Sequence, residues 1–174
     1  LVEDLRNERQ GKSQQALTSI FLGGGTPSLF SGEAIEQVLR KIADEFFLNN
    51  CEITLEANPS TFDQTNFSGY LAAGVNRLSL GAQSFSIRHL QKLGRVHHAE
   101  DILHAFAGAR SAGFRRINID LMFGLPDQNI DDALADLNKA IELKPEHISW
   151  YQLTIEPNTV FHRYPPARTD EDLI

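Results

Sequence analysis

One cysteine, one methionine and one tryptophan occur among the 174 residues. A single thiol, Cys51, excludes an intrachain disulfide framework and suggests a reducing compartment, so a cytoplasmic location is the expectation. No apolar run approaches the roughly 20 residues that a membrane helix needs, and no transmembrane segment is expected. Positive charge is scarce as well: 16 Lys and Arg against 23 Asp and Glu leave a formal net charge of −7. That argues against a broad phosphate-backbone contact and makes nucleic acid an unexpected partner, while leaving room for a local basic patch. No sequence repeat is visible.

What is present is ordinary for a soluble globular chain: hydrophobic residues make up 41% and charged residues 22%. The length suits one domain, residues 1–174, with a substantial core. The chain opens at Leu1 in what reads as the tail of a helix and stops at Ile174 inside an acidic segment. It reads as an excised piece, and a targeting signal would have been lost with the preceding residues.

The organising stretch is Phe21-Leu22-Gly23-Gly24-Gly25-Thr26-Pro27-Ser28. An apolar run ends in three glycines, Pro27 fixes the exit, and a helical pattern opens near Ser31. Strand, bare loop and helix form the layout of a site where main chain approaches a small polar ligand. A tight strand–helix turn with no ligand is the plainer reading, but a turn alone needs one glycine.

The rest alternates. Strands are expected at Thr18 to Leu22, Cys51 to Asn58, Arg77 to Gln83, Arg116 to Phe123 and His147 to Ile155. Helices are expected from Ser31, with Ile35, Val38, Leu39, Ile42 and Phe46 on one face, and at Phe62 to Ala73, Ser86 to Leu93 and Ala99 to Ser111. A further helix, Asp131 to Leu143, would bury Ala133, Leu134, Leu137 and Ile141. Val2 to Gln15 reads as helix end and loop, the stretch after Ile155 as loop, and Asp170-Glu171-Asp172 as the start of a further helix. This α/β order implies parallel strands with right-handed crossovers. A closed or partly closed barrel and an open doubly wound sheet both fit.

Strand faces discriminate. Apolar and polar residues alternate in Ile53 to Asn58, Leu78 to Gln83 and Ile117 to Leu121, and side chains alternate faces along a strand. The simplest solution is an incomplete parallel β/α barrel, TIM-like, whose lumen holds Thr54, Glu56, Ser79, Gln83, Asn118 and Asp120. A polar lumen suggests a polar ligand; structural hydrogen bonds with buried water are the alternative. Glu56, Gln83 and Asp120 stand at or near strand C-terminal ends, where barrel active sites form. Arg95, after the third strand, can clamp a carboxylate. With the glycine loop, these groups suit a ligand bearing amine, carboxylate and ribose. His97, His98 and His104 read as a solvated helix face, and Trp150 and Tyr151 as core or rim packing.

Taken together, Gly23-Gly24-Gly25-Thr26-Pro27-Ser28, Glu56-Ala57-Asn58-Pro59, Asn76 to Phe85, Leu93-Gly94-Arg95 and Asn118 to Pro126 resemble the radical S-adenosylmethionine proteins related to oxygen-independent coproporphyrinogen III oxidase. Ser149 to Thr159 is similar to the heme chaperone branch of that family. The resemblance covers about Thr18 to Asp172. It implies a radical SAM core, an incomplete six-unit β/α barrel here lacking its N-terminal strand. It implies S-adenosylmethionine at Gly24, Gly25, Thr26, Glu56, Gln83, Arg95 and Asp120. The glycine-loop backbone would take the methionine amine and Arg95 its carboxylate, leaving ribose and amine to Glu56, Gln83 and Asp120. It implies a 4Fe-4S cluster on three cysteines of a CxxxCxxC loop, which this chain lacks, so no working centre is expected from these residues alone. Cys51 reads as a small buried hydrophobe. The function implied is heme chaperoning, with heme as cargo and an unknown heme acceptor as partner. The alternative is oxidative decarboxylation of coproporphyrinogen III by a 5′-deoxyadenosyl radical, in porphyrin biosynthesis; a flavodoxin-like electron donor is a possible partner of either. A phosphate-binding β/α enzyme fits less well, because Glu56 and Asp120 make the lumen acidic. An uncovered edge on the first strand would make the isolated piece poorly soluble or oligomeric.

Overall fold

The computed structural model describes residues 3, 7, 15–61 and 64–166. Most of the Val2 to Gln15 reading, the expected helix start at Phe62 and the acidic Asp170-Glu171-Asp172 segment lie outside the described residues. Five strands, β1 (Ser19–Leu22), β2 (Glu52–Ala57), β3 (Arg77–Gln83), β4 (Ile117–Phe123) and β5 (His147–Gln152), form one sheet. All neighbours are parallel and the spatial order is the chain order, β1-β2-β3-β4-β5. A doubly wound sheet would reverse its order partway. An unreversed order with right-handed crossovers lays the helices on one side and leaves the other free. Among the described residues the sheet is thus barrel-like in its winding but open, with β1 and β5 as its edges.

The helices bounded within the described residues are α1 (Gly32–Ala43), α2 (Gln64–Ala73), α3 (Ile87–Lys92), α4 (Ala99–Ala112), α5 (Ile130–Glu142) and α6 (Val160–Arg163). Ser31 caps α1, its hydroxyl accepting from Ala34 N at 3.3 Å, which satisfies one of the unpaired amides of the first turn. Gly113 ends α4 at φ 109°, a left-handed conformation that glycine adopts without a Cβ clash. The core lies between sheet and helices. Leu55, Leu78, Leu80, Ile117, Ile119 and Leu121 point into it from the strands and are fully buried. Ile35, Leu39, Phe67, Tyr70, Ile102 and Phe106 meet them from the helices.

Three expectations need correction. β5 stops at Gln152 rather than Ile155, because its partner β4 ends at Phe123 and Gly124 turns away at φ 67°. The stretch after it is not all loop: Thr159 opens the one-turn α6, its hydroxyl accepting from His162 N at 3.2 Å and donating to the Glu156 carbonyl at 2.7 Å. α5 is rotated partway from its expected face: Ala133 is buried and Leu137 packs on the core as expected, but Asp136 and Ala140 are also buried, whereas Leu134 and Ile141 are exposed. Two alanines let the helix approach closely, and a hydrogen-bonded carboxylate takes an inward position that hydrophobicity alone assigns to leucine.

Candidate functional site

The free face of the sheet carries a cavity of about 540 Å³, within the size range of small-molecule sites. Gly25, Thr26, Glu56, Gln83, Arg95 and Asp120 all line it. The carboxylates of Glu56 and Asp120, 64 residues apart in sequence, therefore share one pocket, as the alternating strand faces imply. Ser79 and Asn118 line it as expected, while Thr54 is buried beneath it and accepts from Arg77 Nη1 at 3.3 Å. Gly24 stands off the wall: its N–H donates to Glu56 Oε2 at 3.2 Å, so the loop and the end of β2 are tied together before any ligand arrives.

The glycines are needed for backbone conformation. Gly24 and Gly25 have φ of 82° and 66°, and a Cβ at either would meet nothing within 4 Å. Left-handed geometry, not crowding, excludes other residues there. The loop exit is held from behind. Buried Tyr70, on α2, donates its hydroxyl to the Ser28 and Phe30 carbonyls at 2.9 and 2.8 Å. Ser28 Oγ accepts from Asn58 N at 3.2 Å, which couples the same turn to the end of β2.

Asp120 sits in a chain of short contacts. Its Oδ2 accepts from Ser79 Oγ and its Oδ1 from Asn118 Nδ2, both at 2.7 Å. Asn118 Oδ1 in turn accepts from Ser149 Oγ at 3.1 Å. Each carboxylate oxygen keeps lone-pair capacity for hydroxyl or amine donors in the cavity. Gln83 is the least ordinary residue. It ends β3 at φ 67°, beyond a shift in the β3–β4 register, and its side chain turns back over Gly81. Tyr151 Oη donates to Gln83 Oε1 at 2.8 Å, which leaves the amide NH₂ as the free end. Burial, and next the negative charge of Asp120, push the Tyr151 phenol above its ordinary value, so it stays protonated and donates. Arg95 forms no ion pair among the described residues and remains exposed on the cavity rim, able to meet an anionic group.

Residue-by-residue reading of the sequence missed Tyr151, Ser149, Arg77 and Phe21 as cavity residues. Tyr151 carried the one usable signal: it stands on the same alternation as Ser149, whose neighbour across β4 is Asp120. Trp150, on the other phase, packs on Phe123 with ring centroids 5.1 Å apart, which fits the packing role expected of it. The histidines are a correction. His98 and His104 are exposed, but His97 is buried and its ring bonds the Ala82 carbonyl at 3.1 Å. Burial lowers its pKa, so it is a neutral ring donating from Nε2. The His98–Asp101 pairing is a helix start: the Asp101 carboxylate accepts from His98 N at 2.7 Å.

Cys51 is buried just before β2, at the other end of that strand from Glu56, about 17 Å away at 3.3 Å per residue. Burial raises its pKa, with Glu52 adding to the shift, which disfavours the thiolate that metals bind. No cluster of three or more His, Cys, Asp or Glu able to hold a metal occurs among the described residues. The donor set of these 174 residues does not fit a 4Fe-4S cluster, which needs several thiolates.

A unidirectional parallel β/α sheet, with a glycine loop on β1 and polar groups gathered at the strands' C-terminal ends, defines a barrel-type core with a polar cavity where barrel active sites form. The chain belongs to the radical SAM superfamily, whose family model matches residues 2–140. Along its full length it is 50% identical to the heme chaperone HemW of Haemophilus influenzae and covers 46% of that protein. It is 47% identical to Escherichia coli HemW, again over the whole chain and 46% of the relative. Radical S-adenosyl methionine domain-containing protein 1, mitochondrial, of Mus musculus is 42% identical over 91% of this chain and 36% of its own length. Among solved structures, the coproporphyrinogen III oxidase HemN of Escherichia coli, a radical SAM enzyme, superposes with a TM-score of 0.72. It is 30% identical over 80% of this chain and 32% of that one. The chain thus spans a little under half the length of the HemW proteins it resembles.

Proposed function

We propose that this chain is the S-adenosylmethionine-binding part of a heme chaperone-like radical SAM protein, which carries heme to an acceptor. The observation that carries the cofactor assignment is the meeting of Glu56, Gln83, Arg95, Asp120 and the Gly25–Thr26 backbone around one cavity. The fit rests on complementary charge and donors. S-adenosylmethionine supplies, when bound, a sulfonium-activated carbon next to an amino acid and a ribose. Arg95, with no ion pair among the described residues, offers its guanidinium for the carboxylate. The glycine-loop main chain and Glu56 suit the amine, with Glu56 already fixed by Gly24 N. Asp120, held by Ser79 and Asn118, suits the ribose hydroxyls, and Gln83 offers its amide NH₂ to an oxygen of the ligand. The residues present, with a single thiol, do not fit an iron–sulfur cluster.

The chaperone reading is supported over the oxidase reading by identity: 50% and 47% to two heme chaperones across the whole chain, against 30% to the oxidase across four fifths of it. Decarboxylation of coproporphyrinogen III remains the second reading, on the strength of the shared fold. The deciding experiment is heme titration of the full-length protein beside an assay of coproporphyrinogen consumption. Saturable, stoichiometric heme binding without turnover is the expected result; turnover without heme binding overturns the chaperone reading. Calorimetry with S-adenosylmethionine tests the cofactor assignment, and no binding heat or competition overturns it.

A further inference from the structure

Gln83 holds a left-handed backbone conformation that glutamine does not favour, at φ 67°. Something must hold it there. Two elements converge on residues 82–85, the corner that carries Gln83 into the cavity wall. From α5, Asp136 reaches up with both oxygens: Oδ2 accepts from Ser84 Oγ at 2.6 Å and Oδ1 from Phe85 N at 2.7 Å. From the loop before α4, His97 bonds the Ala82 carbonyl at 3.1 Å. The corner also closes on itself, with Ser84 N donating to Ala82 O at 2.8 Å and Ser86 N to Ser84 Oγ at 3.0 Å. Ser84 is fully buried and Asp136 only 4% exposed. A buried carboxylate is retained at a cost in solvation, and here both its oxygens serve one corner.

We propose that Asp136 is a positioning residue for the cofactor site. By anchoring Ser84 and Phe85, it keeps Gln83 in its left-handed turn with the amide over Gly81, where Tyr151 takes the carbonyl end and the NH₂ faces the ligand. His97 anchors the same corner from the other side. Asp136 itself does not touch the cavity. This inference rests on the proposed S-adenosylmethionine site and assigns it a support that lies outside it.

The test is a double-mutant cycle in the full-length protein, read as S-adenosylmethionine affinity, with thermal stability measured alongside. Asp136→Ala weakens binding by roughly tenfold. Asp136→Asn, which keeps an acceptor for Phe85 N, restores most of it. In a Gln83→Ala background, Asp136→Ala costs nothing further, a non-additivity that general destabilisation does not produce. Losses that multiply independently overturn the proposal. If Asp136→Ala does not fold, Ser84→Ala takes its place and carries the same expectation. A ligand-free readout separates this inference from the functional one: the Gln83 side-chain amide resonances. They shift toward solvent-averaged values when Asp136 or Ser84 is replaced, and unchanged resonances overturn the positioning role. Should the unaltered protein bind no S-adenosylmethionine, the functional reading falls, and the amide resonances still decide whether Asp136 positions Gln83.

Discussion

Gly32 on α1 and Gly69 on α2 meet backbone to backbone, and the two positions are not equivalent. A Cβ on Gly32 would lie 2.7 Å from Gly69 C, 2.8 Å from its Cα and 2.9 Å from its carbonyl oxygen. All three are backbone atoms, so no side chain can swing aside and the helices must part. A Cβ on Gly69 would sit 3.4 Å from Gly32 Cα and 3.7 Å from its nitrogen, close to ordinary contact. Overpacking of the first kind costs about 1–3 kcal/mol. Gly32 is the first residue of α1, where the helix-propensity gain of alanine is small. Gly69 is interior to α2, where alanine gains about 1 kcal/mol over glycine. Gly32→Ala therefore lowers Tm by roughly 2–12 °C for a domain of this size, while Gly69→Ala leaves it unchanged or raises it by a few degrees. Parting the helices also displaces Tyr70, next to Gly69, and with it the turn at Ser28 that follows the glycine loop. Urea denaturation with the m-value held equal, and S-adenosylmethionine affinity beside it, check both effects. Equal shifts for the two alanines, or a Gly32→Ala protein as stable as the parent, would show that the helix contact is not as tight as argued.

Replacing Tyr70 with Phe removes the donor shared by two carbonyls and is expected to cost about 1–3 kcal/mol in denaturant titrations. No measurable loss would mean that those carbonyls find water instead. Asp120→Ala is expected to weaken S-adenosylmethionine binding by about tenfold or more in calorimetry, since it removes the carboxylate that faces the cavity. Unchanged affinity would count against Asp120 as a ligand group. His89 and His97 are both buried, and burial lowers both pKa values below the ordinary 6.5. Their contribution to stability is complete above 6.5 and is lost as pH falls through the lowered folded values. Asp136 works in the opposite sense, because burial raises its carboxyl above 3.8, so the stability it adds at low pH is lost as pH rises through the raised value. Tm measured across the acid range is expected to decline below pH 6.5, and His97→Gln to flatten part of that decline; a slope unaltered by the substitution would remove His97 from the account.

The sequence by itself determined the parts governed by local rules. Strand–helix alternation, the place of the glycine loop at a strand's end and the two-residue periodicity of β2, β3 and β4 follow from backbone sterics and from side chains alternating across a strand. They were enough to put Glu56, Ser79, Gln83, Asn118 and Asp120 on one face. Tertiary structure alone decided which of those groups are already taken: Gly24 N by Glu56, Asp120 by Ser79 and Asn118, and the Gln83 carbonyl by Tyr151. It alone turned α5 to bury Asp136 rather than Leu134, and drew His97 inward to Ala82. Hydrophobic pattern says which face of an element prefers water. It cannot say which polar group finds a partner inside, because that partner comes from a distant segment, and the hydrogen bond that offsets burial exists only once the chain has closed around it.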